Sequence, residues 1–275
     1  MDWKKLGSRV LVAIFGAPLI IFLLLHGKLP FVFLILFINL VAQYEFYQLT
    51  EHKKMLPLKI WGLLITVFVT FSFYYYGLKW LWLILLIAFY GILLTELFRN
   101  NESATMNVSA SVWGIIYPAV FFGFMILIRE LPNELGIDYI AGGKWLLLML
   151  VTIWICDTAA YFIGKAIGKH KLFYRVSPNK TIEGAVAGVV FSFITAYIFH
   201  LTYIRTLTLA QCLTIALIVA IFAQIGDLVE SLFKRDAKVK DSSNLLPGHG
   251  GMLDRFDAPL FVAPLVYLYL KFFVF

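Results

Sequence analysis

The sequence predicts an all-α fold: a polytopic integral membrane protein of about nine transmembrane helices, N-terminus cytoplasmic and C-terminus outside. Three observations predict it. Of the 275 residues, 61% are hydrophobic and only 14% charged, where a soluble domain carries roughly 45–50% and about 25%. The apolar residues gather into runs near the ~20 residues that cross a hydrocarbon layer about 30 Å thick. Lys and Arg fall mostly on one side when those runs are threaded through a bilayer. Disorder is excluded, because it needs low hydrophobicity. Two cysteines exclude a disulfide scaffold.

The runs lie at about 9–25, 30–49, 57–76, 80–98, 108–128, 144–164, 183–203, 208–233 and 258–275. Lys4, Lys5 and Arg9 flank the first, as they would a signal peptide. Its apolar stretch is long and no small-residue cleavage site follows closely, so it reads as a retained helix. Connections are short except near 129–143, 165–182 and 234–257. Trp3, Tyr74, Tyr75, Tyr76, Trp80 and Trp145 sit near run ends, as interfacial aromatics do. With the N-terminus inside, segments 4–9, 53–59, 99, 165–180, 234–240 and 255 hold 17 of the 23 Lys and Arg residues. The net charge of +7 is therefore concentrated on one membrane face. It is not a nucleic-acid footprint, and no nucleic-acid partner is expected.

Residues 1–143 read as a scaffold of five spans with terse loops. Residues 144–275 read as a catalytic region of four spans with cytoplasmic loops 165–182 and 234–257. No convincing internal repeat is present, which weighs against inverted-repeat transporters. Gly164 with Gly168, and Gly184 with Gly188, have the small-xxx-small spacing that lets helices approach closely, inside the chain or across a dimer face. Cys156 and Cys212 fall inside spans and read as small hydrophobes.

Ionisable groups at depth are costly and usually face a polar cavity. Asp157 lies in the sixth run, and Asp227 and Glu230 near the end of the eighth. Asp157 and Asp227 each lead into a polar loop, which favours a functional role. Glu45 and Glu96 lie near the cytoplasmic ends of the second and fourth runs, where a carboxylate reaching interfacial water is the competing reading. The first loop holds Lys165, Lys169, His170, Lys171 and Arg175, then Ser177-Pro178-Asn179-Lys180-Thr181-Ile182-Glu183. Ser177 or Asn179 is placed to cap the helix beginning near Thr181. A helix N-terminus among lysines favours phosphate, although an ordinary positive-inside loop has the same charge.

The second loop runs from Ser231 to Asp257 and carries the stronger signal. On a helix Asp227, Ser231 and Lys234 share one face. Asp254 and Asp257, three apart, share a face if they open the last helix. Carboxylates converging on an oxygen-rich site suit Mg²⁺, which is usually held by one or two carboxylates, water and substrate phosphates. Pro247-Gly248-His249-Gly250-Gly251 makes a tight turn whose glycines let backbone approach a ligand. The sequence has no P-loop, no Rossmann fingerprint, no zinc spacing and no G-x-S-x-G nucleophile motif.

Residues 231–257 resemble the signature of the phosphatidate cytidylyltransferases, also called CDP-diacylglycerol synthases. The match runs through Ser231, Lys234-Arg235, Lys240-Asp241, Pro247, His249-Gly250-Gly251 and Asp254-Arg255-Phe256-Asp257. Asp157 to Tyr161 with Gly164, and Ser177 to Gly184, resemble that family's upstream motifs. Ala258 departs from the serine expected there, and no role is assigned to it. The resemblance implies that CTP and phosphatidate give CDP-diacylglycerol and pyrophosphate. It implies a divalent-metal site involving Asp227 and Asp254, here extended to Asp257, with Mg²⁺ alone or with a second cation. It implies a homodimer among membrane lipids. A compact chain without organellar targeting fits a bacterial inner membrane, and the Lys and Arg distribution turns the active site to the cytoplasm.

Within that frame Lys234, Arg235, Lys240 and Arg255 are expected to neutralise the α-phosphate and the departing pyrophosphate. Asp241 orients a cation or binds nucleotide. His249, with Gly250 and Gly251, contacts phosphate or nucleotide; stabilising the turn is an equal reading for His249. Asp157, Ser177, Asn179, Lys180, Thr181, Glu183 and Ser231 are expected to line the substrate site. A CTP-dependent lipid kinase and an ion-coupled transporter are the competing functions.

Overall fold

The computed structural model describes residues 3–101, 103–243, 245 and 250–275, with the backbone alone for 3–13. The chain is a polytopic, all-α membrane protein. Among the described residues seven helices are long and apolar enough to cross a membrane: Lys28–Glu51, Lys59–Tyr76, Ala104–Leu135, Ile140–Ile167, Ile182–Thr202, Leu209–Asp236 and Leu253–Val274. Two further apolar helices, Ile14–His26 and Leu81–Leu97, are shorter. In chain order the helices are α1 (Trp3–His26), α2 (Lys28–Glu51), α3 (Lys59–Tyr76), α4 (Leu81–Leu97), α5 (Ala104–Gly114), α6 (Phe121–Leu135), α7 (Ile140–Ile167), α8 (Ile182–Thr202), α9 (Leu209–Asp236) and α10 (Leu253–Tyr269). Among the described residues the one sheet is a hairpin of β1 (Lys171–Phe173) and β2 (Ser177–Thr181), an addition to the all-helical expectation.

The chain divides into two compact units, Met1–Leu127 with Phe233–Phe256, and Ile128–Leu232 with Asp257–Phe275. In the first, α5 passes into α6 through a π-helical turn, Ile115–Val120. Pro118 explains the turn: it has no N–H to donate to the Gly114 carbonyl and would crowd it. Lipid offers that carbonyl nothing, so side chains do. Gln43 Nε2 donates to Gly114 O at 2.9 Å, and Asn39 Nδ2 donates to Ala119 O at 3.1 Å. Both come from one face of α2, four residues apart. Tyr47, four further on, donates to Ser111 O at 3.1 Å. The polar residues buried on α2 thus follow the irregular backbone they serve.

Glu96 is also internally satisfied rather than reaching interfacial water. It is buried, accepts from Asn107 Nδ2 at 2.7 Å and has Arg99 at 3.5 Å. Asn107 Oδ1 in turn accepts from Leu56 N at 2.7 Å.

In the second unit α7 and α8 pack backbone to backbone along the small-residue seam. A Cβ on Gly184 would stand 2.6 Å from Ala160 O, and one on Gly188 would stand 2.8 Å from Cys156 Sγ. These glycines are therefore spent on internal packing. The long connection expected near 129–143 is shorter. Helix α6 continues to Leu135 and α7 starts at Ile140, because Arg129 is satisfied within the helix pair. Its guanidinium donates to Tyr139 O at 2.8 Å and lies 3.9 Å over the Tyr139 ring. Trp145 is no interfacial anchor either: it is fully buried, with its indole N–H on Thr206 Oγ1 at 3.0 Å.

The α2 side chains make a direct prediction. Gln43→Leu removes the side-chain donor on Gly114 O and one of the two acceptors of Thr66 Oγ1, which keeps Gly62 O at 3.0 Å. Groups stranded in an apolar interior cost about 1–3 kcal/mol. The midpoint of thermal unfolding in detergent is expected to fall accordingly; an unchanged midpoint contradicts the account.

Candidate functional site

Each unit assembles its own polar cluster. In the first unit the cluster is built on the loop between α9 and α10. Lys234, in the last turn of α9, places Nζ 2.6 Å from Asp254 Oδ1. Asp254 Oδ2 accepts from Ser242 N at 2.9 Å, Ser242 Oγ at 2.9 Å and Gly251 N at 2.8 Å. Asp254 opens α10, and its reach back to Gly251 serves an N–H that the helix itself leaves unmatched. The pair is well shielded, with side-chain exposures of 11% for Lys234 and 7% for Asp254. Arg235, Lys240, Asp241 and Arg255 are exposed. Arg235 donates to Val239 O at 3.2 Å, which closes the turn after α9.

The same loop is gripped by Glu45 of α2. Glu45 Oε1 accepts from Ser243 Oγ at 2.5 Å and Met252 N at 2.9 Å. Glu45 Oε2 accepts from Leu253 N at 2.7 Å and Ser242 Oγ at 3.1 Å. The side chain is buried, so the interfacial reading of this acid is replaced by a structural link across about 200 positions of sequence. Sequence reading noticed Glu45 as an acid in an apolar run but gave it no partner, and it passed over Ser242 and Ser243. Gly250 has a positive φ of 81°, a conformation that favours glycine. Gly251 is needed for space: a Cβ there would lie 2.0 Å from Ser242 Oγ. Pro247 and His249 lie outside the described residues.

Two cavities flank this loop within the first unit. One of about 810 Å³ is polar, lined by Gln48, Glu51, His52, Lys240, Asp241, Ser242 and Ser243. The other, of about 650 Å³, is apolar, lined by Leu40, Val41, Ile60, Leu63, Leu64 and Val67. They share Gln48 and Ser243.

In the second unit Lys180 Nζ lies 2.6 Å from Asp227 Oδ2, and Ser231 Oγ donates to Asp227 Oδ1 at 3.2 Å. Asp157 interacts electrostatically with both Lys180 and Asp227. Three of the expected residues thus converge, Asp157 from α7, Lys180 from the hairpin and Asp227 from α9. The hairpin presents Lys180. Its pairing sets Lys171 opposite Thr181 and Phe173 opposite Ser177. The helix cap is Thr181 rather than Ser177 or Asn179, because α8 begins at Ile182, directly after Thr181; Thr181 Oγ1 accepts from Gly184 N at 3.2 Å. Asn179 is exposed and Ser177 half-buried. Glu183 is engaged with His170, whose Nδ1 lies 2.7 Å away. Asp257 is half-buried, with Oδ1 accepting from Ala258 N at 2.8 Å.

The metal expectation meets a chemical test here. Among the described residues no three His, Cys, Asp or Glu side chains form a metal-binding group. Mg²⁺ does not demand one, since substrate phosphates complete its shell. Asp227 fits: its side chain is 36% exposed and a hydroxyl lies beside it. Asp254 fits less well: it is more shielded, at 7% exposure, and its Oδ2 alone already accepts from three protein donors.

The model of the cytidylyltransferase family matches residues 7–273. The chain is 38% identical over 282 residues to the phosphatidate cytidylyltransferase of Bacillus subtilis (strain 168), covering 99% of each. It is 34% identical over 265 residues to the enzyme of that name from Staphylococcus aureus (strain COL), covering 94% of this chain and 96% of the relative. Over 182 residues it is 42% identical to that of Staphylococcus saprophyticus, covering 66% of each.

The two lysine–aspartate pairs have equal distances and unequal burial, which predicts unequal stability effects. Lys234→Met leaves a shielded carboxylate uncompensated, at about 3–5 kcal/mol. Lys180→Met frees a carboxylate that water can reach, at about 1 kcal/mol or less. Thermal unfolding of the two variants in detergent is expected to rank them in that order; the reverse order contradicts the burial argument.

Proposed function

We propose that this chain, which belongs to the cytidylyltransferase family, transfers CMP from CTP to phosphatidate, giving CDP-diacylglycerol and pyrophosphate for phospholipid synthesis. The observation that carries the reading is the pair of cavities beside the α9–α10 loop. One is polar and flanked by Lys240 and the other apolar, and they meet at Gln48 and Ser243. The reading assigns the water-soluble triphosphate to the first, where Lys240 and His52 stand with Glu51 and Asp241, and an acyl chain to the second.

The chemistry matches the residues present. The nucleophile is a phosphate monoester with a second pKa near 6, so it is largely dianionic at about pH 7. It needs no base. An oxygen of phosphatidate attacks the α-phosphorus of CTP, the α–β bridging bond breaks, and pyrophosphate leaves with that electron pair. The obstacle is bringing two anions together, so positioning and charge stabilisation dominate. Lys180, Lys234, Arg235, Lys240 and Arg255 supply positive charge, while Asp157, Ser177, Asn179, Thr181, Glu183, Ser231, Gly250 and Gly251 shape the substrate site. Asp241 orients one of the cations, and His249 contacts phosphate or nucleotide. Asp227, with Asp254 and Asp257, would hold the divalent ion. Mg²⁺, when bound, spreads the negative charge of the triphosphate.

The same reading gives nine spans, with the N-terminus and the active site on the cytoplasmic side of a bacterial inner membrane. The distribution of 17 of 23 Lys and Arg residues supports it. Residues 1–143 serve as scaffold and 144–275 as the catalytic region. A homodimer within the membrane lipids rests on the family resemblance.

Purified protein is expected to form CDP-diacylglycerol when CTP, phosphatidate and Mg²⁺ are all present. Asp227→Asn is expected to lower kcat/KM at least a hundredfold, about 3 kcal/mol of transition-state stabilisation. Lys144→Ala, on the opposite membrane face in this topology, keeps normal activity. Near-normal turnover by Asp227→Asn defeats the metal assignment. Leu64→Trp narrows the apolar cavity and is expected to raise KM for long-chain phosphatidate but not for CTP; equal effects on both would place the acyl chain elsewhere.

A further inference from the structure

We propose that Glu45 is a positioning residue for this transfer, holding the α9–α10 loop in the arrangement that presents Lys240, Asp241 and Asp254; the inference rests on the functional reading above. Glu45 takes four donors: Ser242 Oγ, Ser243 Oγ, Met252 N and Leu253 N. A carboxylate offers about four lone-pair sites. All four donors come from the loop and the start of α10, and none from α2 itself.

The choice of residue is informative. Burying a carboxylate inside an apolar span is expensive unless it is hydrogen-bonded. A leucine would pack against the other α2 neighbours as well, at no such cost. It cannot gather two hydroxyls and two backbone N–H groups. Those N–H groups are those of Met252, just before α10, and Leu253, its first residue, where the helix dipole favours an anion. Glu45 therefore fixes where α10 begins, and Asp254 lies one residue into that helix.

Ser242 links the two acids. Its Oγ lies 3.1 Å from Glu45 Oε2 and 2.9 Å from Asp254 Oδ2. A hydroxyl has one proton, so it donates to one carboxylate at a time. Ser242 N donates to Asp254 throughout, at 2.9 Å. Displacing Ser242 from Glu45 thus also moves a donor of Asp254. Gly251 seals the arrangement, since a Cβ there would stand 2.5 Å from Glu45 Oε2. Ser243 completes the link to substrate, because it lines both cavities.

The test compares wild type, Glu45→Gln and Glu45→Asp in detergent micelles. It measures kcat, KM for phosphatidate, hydrogen exchange and thermal unfolding. Glu45→Gln replaces an acceptor by an amide that faces donors. It is expected to lower kcat at least tenfold, the equivalent of one charged hydrogen bond of about 1.4 kcal/mol or more. KM for phosphatidate is expected to stay within about threefold, because most of the apolar cavity is lined by other side chains, Leu40 and Val41 from α2 and Ile60, Leu63, Leu64 and Val67 from α3. Exchange at the Met252 and Leu253 amides is expected to quicken at least tenfold while α3 keeps its protection. Glu45→Asp retains the carboxylate and is expected to recover part of kcat. Wild-type kcat in Glu45→Gln overturns the proposal. So does a loss of kcat with equal loss of protection in α3 and no recovery in Glu45→Asp, which is a purely structural effect. An inactive wild-type protein whose Met252 and Leu253 amides still respond to Glu45→Gln points instead to failure of the functional reading.

Discussion

A polar group inside an apolar span must find its partner in the protein, because lipid supplies none. That constraint organises both units. On α2 it sets Asn39, Gln43 and Tyr47 against the carbonyls around the Pro118 turn. On the same helix it sets Glu45 against the α9–α10 loop. Asn107, Glu96 and Arg99 meet for the same reason. Helix α2 thus offers polar atoms to two irregular segments, a π-helical turn and the α9–α10 loop. Irregular backbone at these places depends on neighbouring side chains rather than on solvent.

The charges of the candidate site obey the rule in a second way. Asp227 and Asp254 each sit 2.6 Å from a lysine. Each lysine–aspartate pair is therefore neutral and can exist beside hydrocarbon. The pairing also suits the reaction. A lysine held near a carboxylate is a cation kept in place, which is what a reaction between two phosphates requires. The site needs no base and no covalent nucleophile, and the sequence supplies neither a nucleophile elbow nor a zinc set.

Much of this was legible in the sequence because it is encoded locally. Apolar runs mark helices through length alone, and the helices follow the runs closely, as Ile182–Thr202 follows 183–203. The run at 80–98 gives Leu81–Leu97, slightly short of a full span. The residues that converge around Asp227 stood out because acids and lysines are conspicuous in such a chain. What escaped was long-range. Glu45 and Ser242 are separated by 197 positions, and no local period joins them. The hairpin escaped because three-residue and five-residue strands carry too little pattern. The two units escaped because each is assembled from two separate stretches of chain.

The central claim is that cytidylyl, not phosphoryl, transfer occurs at a phosphate already on the lipid. Its most direct test follows the label of CTP carried separately at the α and γ positions, with purified protein, phosphatidate and Mg²⁺. The account predicts that α-label enters the organic-extractable lipid and γ-label leaves as pyrophosphate. Recovery of γ-label in the lipid, with CDP as the soluble product, would contradict it.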